Sequence, residues 1–414
     1  MKNLGRLGIL AAPILALAAM QQIKGVNAAG GPVPAGSGPY RVLAPIESGS
    51  LLLFPVVRDE GKSAGETPFI TLDEGLKNGD VEVTEAGKVR GLVRPRGARP
   101  DMQYRGDEVN TLVLVNHSKQ PLLLLAGEIV TGGKQDRIIA NDRIVPPDAD
   151  PIDLSVFCIE PGRWTESSAT FHSSSKSAMG SFMVQPQVRE KAMVDRDQQQ
   201  VWNSVHGAIA QMEVAAAPLD SGGGGGGSGM SGLRNLSTTS YAKAMQDSAV
   251  SEKVDEAAAP VMKAREQVLA KLRDDRAVGV VVAVHGEIIW ADLFANTDLL
   301  SRYWTKLVRS YAAESLTEGE NHAAPSIADA QHFLDAPSGG TENSQGEVGI
   351  YRYRQLKSNG AETFVLESLL PGTGYDVHVS KMKLRGEEHR ASKPRPDNLP
   401  PWIEPHVFTP ELQH

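Results

Sequence analysis

Cysteine is nearly absent, with Cys158 the single one in 414 residues. No disulfide can form within the chain, so its stability has to come from an apolar core. An excess of positive charge is also missing, since 42 Lys and Arg stand against 50 Asp and Glu for a formal net charge of -8. A chain this acidic has no overall attraction for nucleic acid or for an anionic lipid surface. Aromatic residues are sparse at 5%, while hydrophobic residues reach 41%, which suits a globular domain that carries unstructured stretches. The uncharged apolar run Leu7 to Met20 has 14 residues, short of the roughly 20 that cross a hydrocarbon core. No membrane span is expected in the mature chain.

That run has another use. Lys2 and Arg6 give it a basic start, and Val26-Asn27-Ala28 supplies small residues at its end. Residues 1–28 therefore read as a cleavable secretory signal, with Ala29 as the first mature residue and a periplasmic or extracellular destination. The residue directly after the cleavage point is Ala29 and not cysteine, which argues against a lipid anchor. Residues 29–39, rich in Gly, Pro and Ala, are expected to form a flexible leader.

From Tyr40 the pattern turns to strands. Leu51 to Val57, Val81 to Val83, Thr111 to Val115, Leu122 to Leu125, Ile138-Ile139, Ile144-Val145 and Leu154 to Ile159 are apolar or alternating runs, separated by turn residues such as Pro146-Pro147 and Pro161-Gly162. A serine-rich stretch follows, then segments with helical spacing at Val188 to Ala217 and Val250 to Leu272, split by six consecutive glycines within Ser221 to Gly232. Strand signals return at Val278 to Val284 and Glu287 to Leu293. Asp298 is a plausible N-cap for a helix over Leu299 to Glu314. Residues 317–346 read as polar loop around a short helix at Ile327 to Leu334. Three strands then run Glu347 to Leu356, Glu362 to Leu370 and Tyr375 to Leu384.

The expected fold class is α+β, with a β-rich, sandwich-like core built from two sequence-distant strand blocks. One domain would span 40–385, with a helical insertion at about 166–275 that is disordered near 221–240. A Pro-rich tail occupies 386–414.

Side chains able to do chemistry concentrate in two loops. The first contains Glu128, Gly132-Gly133, Lys134, Gln135 and Arg137, and the second contains Cys158, Glu160, Arg163 and Trp164. The glycine pair permits close approach of a ligand, and Gln135 and Arg137 share a side if the segment is extended. Arg137 or Arg163 could grip an anion or carbonyl through a forked pair of hydrogen bonds. The competing reading is structural, with Glu128 paired to Arg137 and Glu160 to Arg163 to fix loop ends.

Familiar enzyme signatures are missing. The ten histidines lack zinc-ligand spacing, the glycine tract is not followed by Lys-Ser/Thr, and no serine sits in a Gly-x-Ser-x-Gly elbow. Cys158, with His117 or His172 as base, could act as a nucleophile, but it ends a strand-like run where a lone cysteine behaves as a small buried hydrophobe. No metal site is expected, and no cofactor can be named.

Taken in order, Val115-Asn116-His117-Ser118, Leu124-Leu125-Ala126-Gly127-Glu128, Gly132-Gly133-Lys134-Gln135-Asp136-Arg137, Val145-Pro146-Pro147 and Phe157-Cys158-Ile159-Glu160-Pro161-Gly162-Arg163-Trp164 resemble the bacterial ARG and rhodanese-phosphatase-superfamily-associated protein domain. The likeness extends over most of residues 40–385. It implies a role near nucleotide or ADP-ribose chemistry and assigns no reaction. The expected function is thus a ligand-binding or accessory module whose partner is a small molecule or an envelope protein. A hydrolase using Glu128 or Glu160 as general base and an interaction scaffold are the alternatives.

Overall fold

Two apolar runs far apart in sequence meet as neighbouring strands, and this contact organises the molecule. The structure, a computed structural model, describes residues 40–58, 68–86, 88, 111–163, 165–174, 181–217, 236–274 (backbone alone from 265), 277–320, 322–336, 341–358 and 360–384. The expected signal and leader, the glycine tract, Trp164 and the Pro-rich tail lie outside the described residues.

The first block holds β1 (Tyr40–Val42), β2 (Ile46–Ser48), β3 (Leu51–Arg58), β4 (Ile70–Thr71), α1 (Leu72–Asn78), β5 (Val81–Glu85), β6 (Thr111–Asn116), β7 (Leu122–Leu124), β8 (Ile129–Gly132), β9 (Arg137–Ile139), β10 (Arg143–Val145), β11 (Ile152–Cys158) and β12 (Phe171–Ser173). The insertion supplies α2 (Pro186–Glu190), a π-helical turn at Lys191–Asp195, α3 (Gln198–Ala215), α4 (Tyr241–Gln246) and α5 (Ser248–Asp274). The last block is β13 (Ala277–Val284), β14 (Glu287–Phe294), α6 (Thr297–Ser315), α7 (Ile327–Asp335), β15 (Thr341–Glu347), β16 (Tyr351–Ser358), β17 (Ala361–Ser368) and β18 (Tyr375–Lys383).

A nine-stranded antiparallel sheet runs β1-β3-β13-β14-β18-β17-β16-β15, with β2 also paired to β3. Both of its faces are buried at β3 and β13, which is why these strands read as continuous apolar runs instead of alternating ones. Leu51, Leu53, Val280 and Val282 face a core shared with α6 and the insertion helices. Leu52, Phe54, Val281 and Ala283 face a smaller core under Ala330 of α7. The remaining strands form a six-stranded sheet, β12-β8-β9-β11-β6-β5, and a three-stranded one, β10-β7-β4. Their inner residues, among them Val83, Leu114, Leu124, Val130, Ile139 and Val145, fill a second core. The fold is therefore α+β, with a β-rich core drawn from strand blocks on both sides of the helical insertion.

Three local expectations change. The N-cap of α6 is Asn296 and not Asp298, because the Asn296 side chain accepts the Leu299 N–H at 3.0 Å and Asp298 already lies inside the first turn. Helix α1 was not expected, although its Thr71-x-x-Glu74 capping box is a readable signal. Residues 341–346, expected as loop, form strand β15 together with Glu347, and the strand expected from Glu347 starts at Tyr351, since the polar sequence of 341–347 carries no alternation and only pairing with β16 orders it.

Candidate functional site

The two expected loops converge with a third from the insertion. After β8 the chain turns at Gly133, where φ is +51° and a Cβ would sit 2.2 Å from the Phe171 ring. Only glycine passes there. The turn sends the Lys134 N–H to the buried carboxylate of Glu85 at 2.9 Å and leaves the Lys134 side chain half-buried. Gln135 and Arg137 are both buried, and the guanidinium of Arg137 donates to the Gln135 carbonyl at 2.6 Å and lies 3.9 Å from Glu85. Arg137 thus points into the protein.

Asp136 and Glu160 form the centre of the convergence. Glu160 accepts the Asp136 N–H at 3.3 Å, and Arg163 Nη2 lies 2.5 Å from Glu160 and 3.5 Å from Asp136. Ser240 donates to Asp136 at 2.8 Å, and Lys243 reaches Glu160 at 2.9 Å. Neither insertion residue could be assigned to this cluster from sequence spacing, because α4 arrives from far along the chain. The two carboxyls are driven apart. Burial and the charge of Glu160 raise Asp136 above the usual carboxylate range. Burial acts the same way on Glu160, but the bonds from Arg163 and Lys243 outweigh it and hold that carboxyl low. The cluster opens outward through Lys243, whose side chain is 59% exposed, whereas Glu160 is 3% exposed.

Glu128 belongs elsewhere. It is sealed beneath α6, where Lys306 holds it at 2.6 Å and Asp73 at 2.5 Å, and its other oxygen accepts the Leu125 N–H at 2.7 Å. Glu128 has no contact with Arg137 among the described ion pairs, whereas Glu160 and Arg163 do pair.

A further polar centre escapes any local reading of sequence. Asp292 on β14 accepts two bonds from Arg189 of α2, at 3.0 and 3.3 Å, one from Ser380 at 2.9 Å and one from Tyr311. His378 lies 3.2 Å from Asp292 and 2.6 Å from Asp142. Arg189 also stacks over Trp290 at 4.5 Å. Burial alone would lower the His378 pKa, yet Asp142 and Asp292 push it up to about 9. Gly127 makes room for this centre, since with φ at +88° a Cβ there would stand 2.5 Å from Arg189 Cγ. The cluster is fully buried and reaches no surface.

Cys158 closes β11 with its thiol pushed up to about 12, chiefly by burial. A nucleophilic thiolate is scarce at neutral pH under those conditions. His117 faces Glu82 at 3.9 Å, and His172 pairs across the sheet with Thr131. Among the described residues, no three His, Cys, Asp or Glu side chains converge to hold a metal ion. No described helix is long and apolar enough to cross a membrane.

A family model described as the ARG and Rhodanese-Phosphatase-superfamily-associated Protein domain matches residues 39–382. The chain belongs to this family. The match contains all three loops of the Asp136–Glu160 cluster and both buried ionic centres, so these features lie inside the family domain and not in an appended segment. No curated protein and no solved structure matches the chain.

Proposed function

We propose that the chain is an exported ligand-binding or accessory module, and that an anionic ligand of the nucleotide or ADP-ribose class engages it where Lys243 and Arg163 meet Glu160. The observation that carries this reading is the exposed ammonium of Lys243 standing on an otherwise buried ionic network. One of its donors is used by Glu160, and a phosphate oxygen can take another at charge-assisted strength. The accessory role follows from the family's association with ARG and rhodanese-phosphatase proteins.

Isothermal titration with ADP-ribose, AMP and inorganic phosphate tests the site. Lys243→Gln should weaken binding about tenfold or more, as expected for losing a charge-assisted bond of roughly 1.5–3 kcal/mol. Its melting temperature should fall only slightly, because Glu160 keeps the Arg163 guanidinium and the Asp136 N–H as partners. Lys253→Gln, on the exposed Lys253–Glu256 pair of α5, should leave binding unchanged. Equal weakening by both variants would reduce the effect to net charge, and a wild-type chain silent toward all three probes would remove the nucleotide reading.

One observation favours a second reading. Asp136 held high beside Glu160 held low is the arrangement in which one carboxyl donates a proton and the other accepts one, which is what a hydrolase with Glu160 as general base requires. Release of AMP and ribose 5-phosphate from ADP-ribose, or of adenosine and phosphate from AMP, lost in Glu160→Gln, would establish it.

Export is supported by the basic start, the apolar run and the small-residue end of residues 1–28. Protein recovered from the periplasm or medium should begin at Ala29 on N-terminal sequencing. Recovery with Met1 intact would refute cleavage.

A further inference from the structure

The molecule guards its sheet edges unequally. At one end of the nine-stranded sheet, the side chain of Gln331 from α7 accepts the Val42 N–H at 2.8 Å and donates to the Tyr40 carbonyl at 3.1 Å, so β1 offers little to another strand. In the six-stranded sheet, a bridge between Thr84 and Thr170 joins the two outer regions. Strand β15 at the other end of the large sheet has no such protection. Six of its seven residues are exposed, and among the described residues nothing pairs with its outer side. It carries no lysine and no proline, the residues that most often blunt an edge.

We propose that β15 is a self-association edge, onto which a second copy of this chain adds its own β15 antiparallel, with Ser344 on the two-fold axis. The strand is self-complementary in this register. Asn343 lies opposite Gln345 of the second copy, Thr341 opposite Glu347, and Glu342 opposite Gly346, so no carboxylate faces another. Charge then selects the register. Gly346 pairs with Arg352 on β16, and because Gly346 has no side chain, Glu342 of the second copy can extend across it toward Arg352. That guanidinium is 52% exposed and 3.4 Å from Glu367. The contact occurs twice by symmetry, as an isologous interface requires. Backbone hydrogen bonds along the strands supply the remaining attraction.

Light scattering on the chain as it accumulates in the cell, coupled to size exclusion, tests the edge. At about 100 μM chain, where even modest interfaces associate, the mass should be twice that of the monomer. Glu342→Arg places cations against Arg352 and should weaken association about tenfold, the effect of two cross-strand pairs. Arg352→Glu should weaken it as well, and the double variant should restore the dimer. Both sites are exposed, so folding, checked by circular dichroism, is not at risk. A monomeric wild type at that concentration, or a double variant no better than the singles, overturns the proposal.

Discussion

Asp292→Ala is expected to cost about 3–5 kcal/mol in equilibrium urea unfolding, the range for breaking a buried ion pair from one side. The carboxylate balances two cations, Arg189 and His378, and accepts hydroxyl bonds from Ser380 and Tyr311. Its removal leaves Arg189 fully buried with no countercharge of its own and His378 with Asp142 alone. The segments it joins are also distant, because α2 comes from the insertion while β14 and β18 belong to the last block. Ser380→Ala, which deletes one neutral donor, should cost about 1 kcal/mol. Alkaline pH attacks the same centre through His378. Folding raises this imidazole from its ordinary 6.5 to about 9, so its stabilisation is fully present below pH 6.5 and is lost as pH climbs through 9. Wild-type stability should therefore decline over that window, and the decline should shrink in Asp292→Ala, where one of the two carboxylates is gone. A loss below about 1 kcal/mol for Asp292→Ala, or an unchanged alkaline slope, would show that the centre is not what fastens the insertion to the sheet.

Lys306→Met is the second substitution expected to be severe, again at about 3–5 kcal/mol. Lys306 is buried between Glu128 and Asp73. Burial pulls its pKa down, but the two carboxylates prevail and hold the ammonium charged. Without it, Glu128 keeps, among the described residues, the Leu125 N–H as its side-chain partner and faces the charge of Asp73. Glu128→Gln in the Lys306→Met background should recover much of the loss, since removing both charges of a buried pair is far less costly than removing one. Additive losses would refute the pairing. The cycle also decides the role of Glu128: near-neutral Lys306→Met together with lost ADP-ribose binding in Glu128→Gln would return this residue to the ligand site.

Much of the architecture was legible because its signals are local. The runs Leu51 to Val57 and Val278 to Val284 announce strands buried on both faces, and the stripe Leu300, Trp304, Leu307, Tyr311 announces the helix that covers them. Strand β15 was illegible for the opposite reason, since a polar exposed edge has no apolar period to read. The loop residues were found for their chemistry, but not their neighbours. Glu160 and Arg163, three residues apart, meet as spacing allows. Glu128 turns away from Arg137 because Gly127 bends the backbone so that Arg189 can pass and Glu128 enters the space under α6.

The amino-acid sequence by itself determined the α+β class, the two strand blocks, the helical insertion and the family, because hydrophobic periodicity and ordered motifs are properties of the chain read along its length. Only the tertiary structure decided which charges balance one another. Asp142, Arg189, Asp292 and His378 come from separate parts of the chain with no shared spacing, as do Asp136, Glu160 and the Ser240–Lys243 turn that opens α4. A buried charge is stable only beside its partner, and packing alone determines where that partner stands.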